Sequence, residues 1–211
     1  MTNIVVFGGT GFTGGNIVRE AASRGFDVTS VSRSAPAEPL DGVRYVAGSA
    51  AEEAPRLVPD ADVVVAALSP RGDMAGRLVE IYGDLAQQAA VAGARYVQIG
   101  GFNSLRPAPD APRGAEGEIP EEYREEALEG EATRQMLVDA APADLDWLFV
   151  SPPAEYGAWY TGERTGNYRI GNEVALFDAD GRSHISGEDF AVAVLDELET
   201  REHQGHIGIA Y

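Results

Sequence analysis

A chain of 211 residues is long enough for one α/β domain with a full core, and too short for a second substrate domain of ordinary size. Its 16 basic residues are all arginine by direct count, so lysine is absent, and 34 acidic residues leave a formal charge of -18. That balance argues against nucleic acid and anionic membranes as partners and reads most simply as solubility. The absence of cysteine excludes disulfides, thiolate catalysis and cysteine-ligated metals. No apolar run approaches the ~20 residues of a membrane-spanning helix and no secretory leader is visible, so the expectation is a cytoplasmic protein.

Ile4 to Phe7 is a short apolar run that suits a central parallel strand. Phe12 to Arg24 has helical spacing, with Gly25 where a C-terminal glycine belongs, and Val28 to Val31 completes a βαβ opening. Further strands are predicted at Val43 to Val46, Asp62 to Ala67, Tyr96 to Ile99 and Trp147 to Val150, and further helices at Met74 to Ala92 and Pro120 to Ala140. This alternation predicts an α/β fold with a Rossmann-type, doubly wound parallel sheet. Residues 1–211 read as a single domain, with about 151–185 as a small substrate-side extension. Leu105 to Ile119, rich in Pro, Gly and Ala, follows the fifth strand, where ligand-covering loops occur. Short strands are expected at Asn167 to Ile170 and Val174 to Phe177, and Ser186-Gly187-Glu188-Asp189 reads as a capping box before a helix through Leu198.

Gly8, Gly11 and Gly14 have the spacing of a dinucleotide-binding loop, and here an apolar strand leads in and a helix leads out. Gly8 suits the sharp turn, Gly11 a close approach of backbone to phosphate, and Gly14 tight packing of the helix. Thr10 lies within the loop, while Phe12 and Thr13 offer backbone N–H groups at the helix start, where the dipole favours anions. At the end of the second strand, Ser32-Arg33-Ser34 places a forked cation and two hydroxyls where a carboxylate would select NAD. The expected cofactor is therefore NADP(H) in preference to NAD(H).

With these residues placed, the chain resembles the atypical short-chain dehydrogenase/reductase superfamily, and within it the NADH-flavin reductase and biliverdin reductase B-like group. The resemblance rests on Val5 to Gly14 and Val28 to Arg33, on Ile99-Gly100-Gly101-Phe102-Asn103-Ser104-Leu105, and on Ser151-Pro152-Pro153. In the tail it rests on Gly162 to Arg169, Asp180 to Ser186 and Glu188-Asp189-Phe190-Ala191. It implies that Ser49 lies beside the adenine, that Ala67, Leu68 and Ser69 line the adenosine ribose, and that Gly100, Gly101, Pro152 and Pro153 border the nicotinamide. For the proline pair, a purely structural role in ending the strand is an equal alternative.

The Tyr-x-x-x-Lys pair of many short-chain dehydrogenases is impossible here: Tyr123, for example, is followed four residues on by Ala127. Flavin reduction does not need that pair, since hydride passes directly between stacked rings. Tyr156, Trp159 and Tyr160 are candidates for an aromatic wall over the nicotinamide, with ordinary loop packing as the alternative, and Ser104 is the nearest candidate hydroxyl for the acceptor. His184, His203 and His206 lack metal-site spacing and read as solvated surface residues, so no metal is expected. The expected function is reduction by NADPH of a small acceptor, a free flavin, a quinone or a similar planar molecule. Flavin would be a substrate and not a prosthetic group. A non-catalytic NADP(H) redox sensor is the alternative, and the sequence leaves oligomeric state open.

Overall fold

The computed structural model describes residues 1–160 and 162–211. Its centre is one sheet of eight strands: β1 (Asn3–Phe7), β2 (Asp27–Ser32), β3 (Val43–Ala47), β4 (Val63–Ala66), β5 (Arg95–Ile99), β6 (Trp147–Ser151), β7 (Arg169–Gly171) and β8 (Gly205–Ala210). Their spatial order is β3-β2-β1-β4-β5-β6-β8-β7. All pairs are parallel except β7 with β8. This is the doubly wound Rossmann-type sheet that the alternating pattern predicts, and the strand order reverses between β1 and β4.

The strands carry apolar side chains on both faces because helices cover both. In β1, Val5 and Phe7 point to one core and Ile4 and Val6 to the other. The first core is closed by α2 (Ala50–Leu57), α3 (Leu78–Ala92) and α4 (Glu121–Ala140), the second by α1 (Phe12–Ser23) and α5 (Gly187–Thr200). Among the described residues no helix is long and apolar enough to cross a membrane.

Several boundaries differ from expectation, each for a local reason. Helix α2 has no predicted counterpart, being only eight residues long with Pro55 inside; it is nucleated by a capping box in which Ser49 and Glu52 satisfy each other. α3 begins at Leu78, not Met74, because Gly76 sits at φ +74°, and Glu129 of α4 accepts from the Gly76 and Leu78 N–H groups. Asn167 is committed to a turn, with its backbone N–H donating to Thr165 Oγ1 and its side-chain amide to Thr165 O, so β7 starts at Arg169. Val174 to Phe177 is not a strand; Val174 makes an isolated bridge to Arg106. The box at Ser186 is half made: its hydroxyl accepts from Asp189 N–H at 3.0 Å, but the buried Asp189 carboxylate turns to Thr165, Gly166 and Tyr211. Those bonds, with the Arg164–Glu20 pair, lash the middle of the C-terminal extension to α1 and α5.

Candidate functional site

Two cavities, about 530 and 350 Å³, share Gly11, Ala67, Leu68, Ser69 and Arg71 in their linings and form one cleft. It lies outside the carboxyl ends of the parallel strands, at the reversal between β1 and β4, where open α/β sheets bind ligands.

The smaller cavity is built on the glycine loop. Gly8 has φ +87°, and a Cβ there would stand 2.3 Å from Ala67 O, so the turn passes against the end of β4 with no room for a side chain. A Cβ on Gly14 would stand 2.3 Å from Gly8 O, so the helix packs directly on the turn that precedes it. Gly11 is the N-terminal cap of α1 and contributes no capping side chain. The first intrahelical bond runs from Gly15 N–H to Gly11 O, which leaves the N–H groups of Phe12, Thr13 and Gly14 without helical acceptors. No acidic residue occupies that first turn. These features fit a dinucleotide's pyrophosphate, for which backbone donors and the helix dipole are the natural partners.

Arg33 and Ser34 after β2 and Ser49 after β3 line this cavity, and so do Arg71 and Arg77 from the segment between β4 and α3, which sequence reasoning missed. Ser32 lines the same cavity, and its hydroxyl also braces the glycine loop, donating to Val31 O at 2.7 Å and accepting from Thr10 N–H at 3.0 Å. Ser49 is similarly occupied, donating to Glu52 Oε2 at 2.7 Å as the cap of α2.

The larger cavity is walled by Gly100 and Gly101 after β5, by Pro152 and Pro153 after β6, and by side chains of α3 and α4. Gly100 is a close approach: a Cβ there would stand 2.1 Å from the Phe149 ring. Tyr156 lines this space and donates its hydroxyl to Thr13 Oγ1 at 2.9 Å, while its ring packs edge-on against Phe12 at 5.3 Å. Burial pushes the Tyr156 phenol well above its ordinary pKa, against the smaller opposing effect of the Thr13 bond. Tyr82 behaves alike: its buried hydroxyl accepts from Leu68 N–H and donates to Leu68 O, fixing the chain where it leaves β4. Trp159 is 69% exposed at the rim. Across the mouth, Arg71 pairs with Glu126 of α4 at 3.2 Å.

Three expectations fail here. Tyr160 does not line the cleft; its hydroxyl meets His184 Nδ1 at 2.7 Å, and His184 Nε2 meets Asp178. Ser104 is buried and does not line the cleft; its carbonyl accepts from Arg113 at 2.6 Å. The 105–119 segment is not a cover. It packs beside α4, where Arg106, Arg113 and Glu116 line a different cavity.

The histidines are half-buried and partnered, not simply solvated. His203 pairs with the buried Glu197 at 2.7 Å. His206 lies within β8, with Nδ1 accepting from Arg113 at 3.3 Å; its proton therefore sits on Nε2, which meets Ser151 Oγ at 2.9 Å. Burial, and then the charges of Arg113, Arg134 and Arg106, push the His206 pKa down to about 3. This neutral imidazole supports β6 immediately before the proline pair, and its position in the polar run His203–His206 gave no hint of that role. Among the described residues no cluster of side chains has metal-binding geometry.

The sequence model of the NAD(P)H-binding family matches residues 8–201. The uncharacterized protein YwnB of Bacillus subtilis is 31% identical over 214 residues, covering 95% of this chain and 94% of YwnB. Among solved structures, a Bacteroides thetaiotaomicron protein provisionally named an epimerase is 30% identical with a TM-score of 0.85, covering 100% of this chain and 97% of its own. A Streptococcus pneumoniae protein provisionally named an NADH-flavin reductase is 25% identical with a TM-score of 0.84, covering 100% of this chain and 99% of its own. A Burkholderia pseudomallei protein provisionally named an exported protein is 33% identical with a TM-score of 0.84, both chains covered in full.

Proposed function

Because the chain belongs to the NAD(P)H-binding family, we propose that it is an NADPH-dependent reductase of a small planar acceptor such as a free flavin or quinone. The observation that carries this reading is the single cleft. One half is a backbone cradle with unpaired helix-start N–H groups, and the other is an open slot of glycine, proline and aromatic groups. When bound, the reduced dinucleotide supplies a hydride, two electrons with one proton nucleus, and a second proton from water completes a two-electron reduction of the acceptor.

The protein's part is to bind and orient. Gly8, Gly11 and Gly14 shape the turn, and the Phe12 and Thr13 N–H groups hold the pyrophosphate. Thr10 fixes the loop through Ser32, and Ala67, Leu68 and Ser69 border the ribose. Gly100, Gly101, Pro152 and Pro153 leave a thin slot for the nicotinamide, and Tyr156 and Trp159 flank the acceptor. The two tyrosine hydroxyls that line the slot, of Tyr82 and Tyr156, have pKa values raised by burial and are engaged in hydrogen bonds. Both are poor acids, which favours delivery of the second proton by water at the open mouth. Epimerisation suits this chain less well, because its proton-transfer pair needs the lysine that the sequence lacks. A cytoplasmic location accords with the need for NADPH.

Arg33 and the neighbouring Ser34 are assigned to the 2′-phosphate of NADP(H). Fluorescence titration is expected to give tighter binding of NADPH than of NADH. Arg33→Ala should weaken NADPH by roughly 10- to 100-fold, in line with ~1.5–3 kcal/mol for a charged hydrogen bond, and leave NADH nearly unchanged. Tighter NADH binding that ignores the substitution would overturn the cofactor assignment. Turnover is followed as NADPH absorbance under anaerobic conditions with riboflavin, FMN and a quinone. Tight NADPH binding with no turnover of any of them would replace the reductase by the non-catalytic sensor.

A further inference from the structure

Charge is distributed unequally along the cleft. Arg33, Arg71 and Arg77 line the half assigned to the adenosine, where a phosphate is expected. Around the acceptor half, the charged lining residues among those described are Arg71 and Glu126, and they are paired with each other. Arg71 Nη2 donates to both Glu126 carboxylate oxygens at 3.2–3.4 Å and Nε to Oε2 at 3.3 Å, so the cation nearest the acceptor is neutralised on that side. The rest of that lining is apolar or uncharged: Leu78, Phe102, Thr133, Pro152, Pro153 and Trp159. Glu129 stands one helical turn from Glu126 on α4, its carboxylate on the Gly76 and Leu78 N–H groups at the edge of the same space. The acceptor half thus offers aromatic and apolar contact and no unpaired cation among the described residues, while carboxylates hold its α4 side.

We propose that the acceptor half selects planar acceptors that carry no negative charge, and that Glu126 is the residue that sets this preference. The inference rests on the reductase reading above, and it narrows the acceptor from flavins in general to uncharged rings of the riboflavin or quinone type. Phosphorylated flavins would bring a dianion against Glu126, with Arg71 already engaged. A bound phosphate would have to displace Glu126 from Arg71 and take its place. Because the pair is largely exposed, the discrimination is modest and sensitive to salt.

Riboflavin and FMN differ only by the terminal phosphate, so their ratio isolates charge. With NADPH as reductant at about 10 mM ionic strength, kcat/KM for riboflavin should exceed that for FMN by roughly 5- to 10-fold, and the ratio should fall at least twofold at about 0.3 M salt. Glu126→Gln removes the negative charge and releases Arg71, so it should bring the ratio close to one, mainly by lowering the KM for FMN. Glu202→Gln, which changes net charge equally at an exposed position far along the chain after α5, should leave the ratio as it was. Equal or better use of FMN at low salt, or a ratio that Glu126→Gln does not move, overturns the proposal. So does a Glu202→Gln effect equal to that of Glu126→Gln. If NADPH binds but no acceptor turns over, quenching of riboflavin and FMN fluorescence by the NADP⁺-loaded protein gives the same ratio as dissociation constants; failure of both flavins to bind then counts against the proposal. Absence of NADPH binding is the distinct result that removes the reductase reading beneath it.

Discussion

The two halves of the cleft are made of different material. The half built on the glycine loop is main chain: a turn at Gly8, a helix start at Phe12 and Thr13, and glycines whose Cβ positions are filled by neighbouring backbone. The other half is side chain, with Tyr82 from α3, Glu126 and Thr133 from α4 and Trp159 from the extension beyond β6. Backbone shape is set by residues close in sequence, so spacing alone exposes it. A wall assembled from three separated segments depends on packing that no spacing encodes. Accordingly, the glycine loop stands where the sequence places it, whereas Ser104 and Tyr160 do not line the cleft.

This contrast is tested most severely by Gly14→Ala. The added methyl would meet Gly8 O at 2.3 Å, Gly8 C at 2.8 Å and Gly9 Cα at 3.0 Å, all of them backbone atoms that cannot rotate aside. We expect NADPH affinity to fall by 100-fold or more and stability by about 1–3 kcal/mol, read by titration and thermal melting. Gly15→Ala is the matched control, since its Cβ would have only Gly9 O at 3.6 Å, and there a small gain of up to about 1 kcal/mol is expected from helix propensity. If Gly14→Ala binds NADPH as the wild type does, the loop is not the rigid cradle described.

Behind the proline pair, His206 of β8 meets Ser151 at the end of β6 and gives the fold a pH dependence. His206 is neutral in the folded state with a pKa of about 3, against about 6.5 when unfolded. Below pH 6.5 the unfolded chain therefore takes up a proton that the folded chain refuses, so stability is full above that pH and is lost as pH falls toward 3. The buried carboxylates of Glu20 and Asp189 have lowered pKa values and act only at lower pH. For each, burial opposes the shift and hydrogen bonds outweigh it, from Arg164 and Arg24 for Glu20, and from Tyr211, Thr165 and Gly166 for Asp189. Denaturant melts between pH 7 and 4.5 should show a loss on the order of 3 kcal/mol, which His206→Gln flattens while retaining a donor for Ser151 and an acceptor for Arg113. An unchanged slope in that variant would assign the loss elsewhere.

How much was legible follows the same division. The doubly wound parallel sheet and the phosphate turn follow from apolar runs and glycine spacing; Arg33, read from its place after the second strand, and the two prolines, read from the family resemblance, line the cleft as well. Helix α2 was hidden by its brevity and its proline, although Ser49 and Glu52 spell the capping box that starts it. Tyr82 was visible only as a core position of a helix, because its hydroxyl partner, Leu68, lies 14 residues away on another element. His206 looked polar and exposed because the partners that bury it, Arg113 and Ser151, are 93 and 55 residues distant.

The smallest effect is the one that best probes whether the halves are independent. Trp159 touches only the acceptor space and is 69% exposed, so Trp159→Ala should raise acceptor KM by roughly 3- to 10-fold, as loss of a partly desolvated aromatic contact does, and leave NADPH affinity alone. Tyr156 differs: its hydroxyl holds Thr13, whose N–H belongs to the phosphate turn, and its ring braces Phe12. Tyr156→Phe should therefore weaken NADPH by about 2- to 5-fold, the worth of one neutral hydrogen bond, with little change in acceptor KM. Tyr156→Ala should weaken both ligands together. If Tyr156→Ala moves only the acceptor, the bond to Thr13 carries no coupling and the two halves of the cleft work as separate sites.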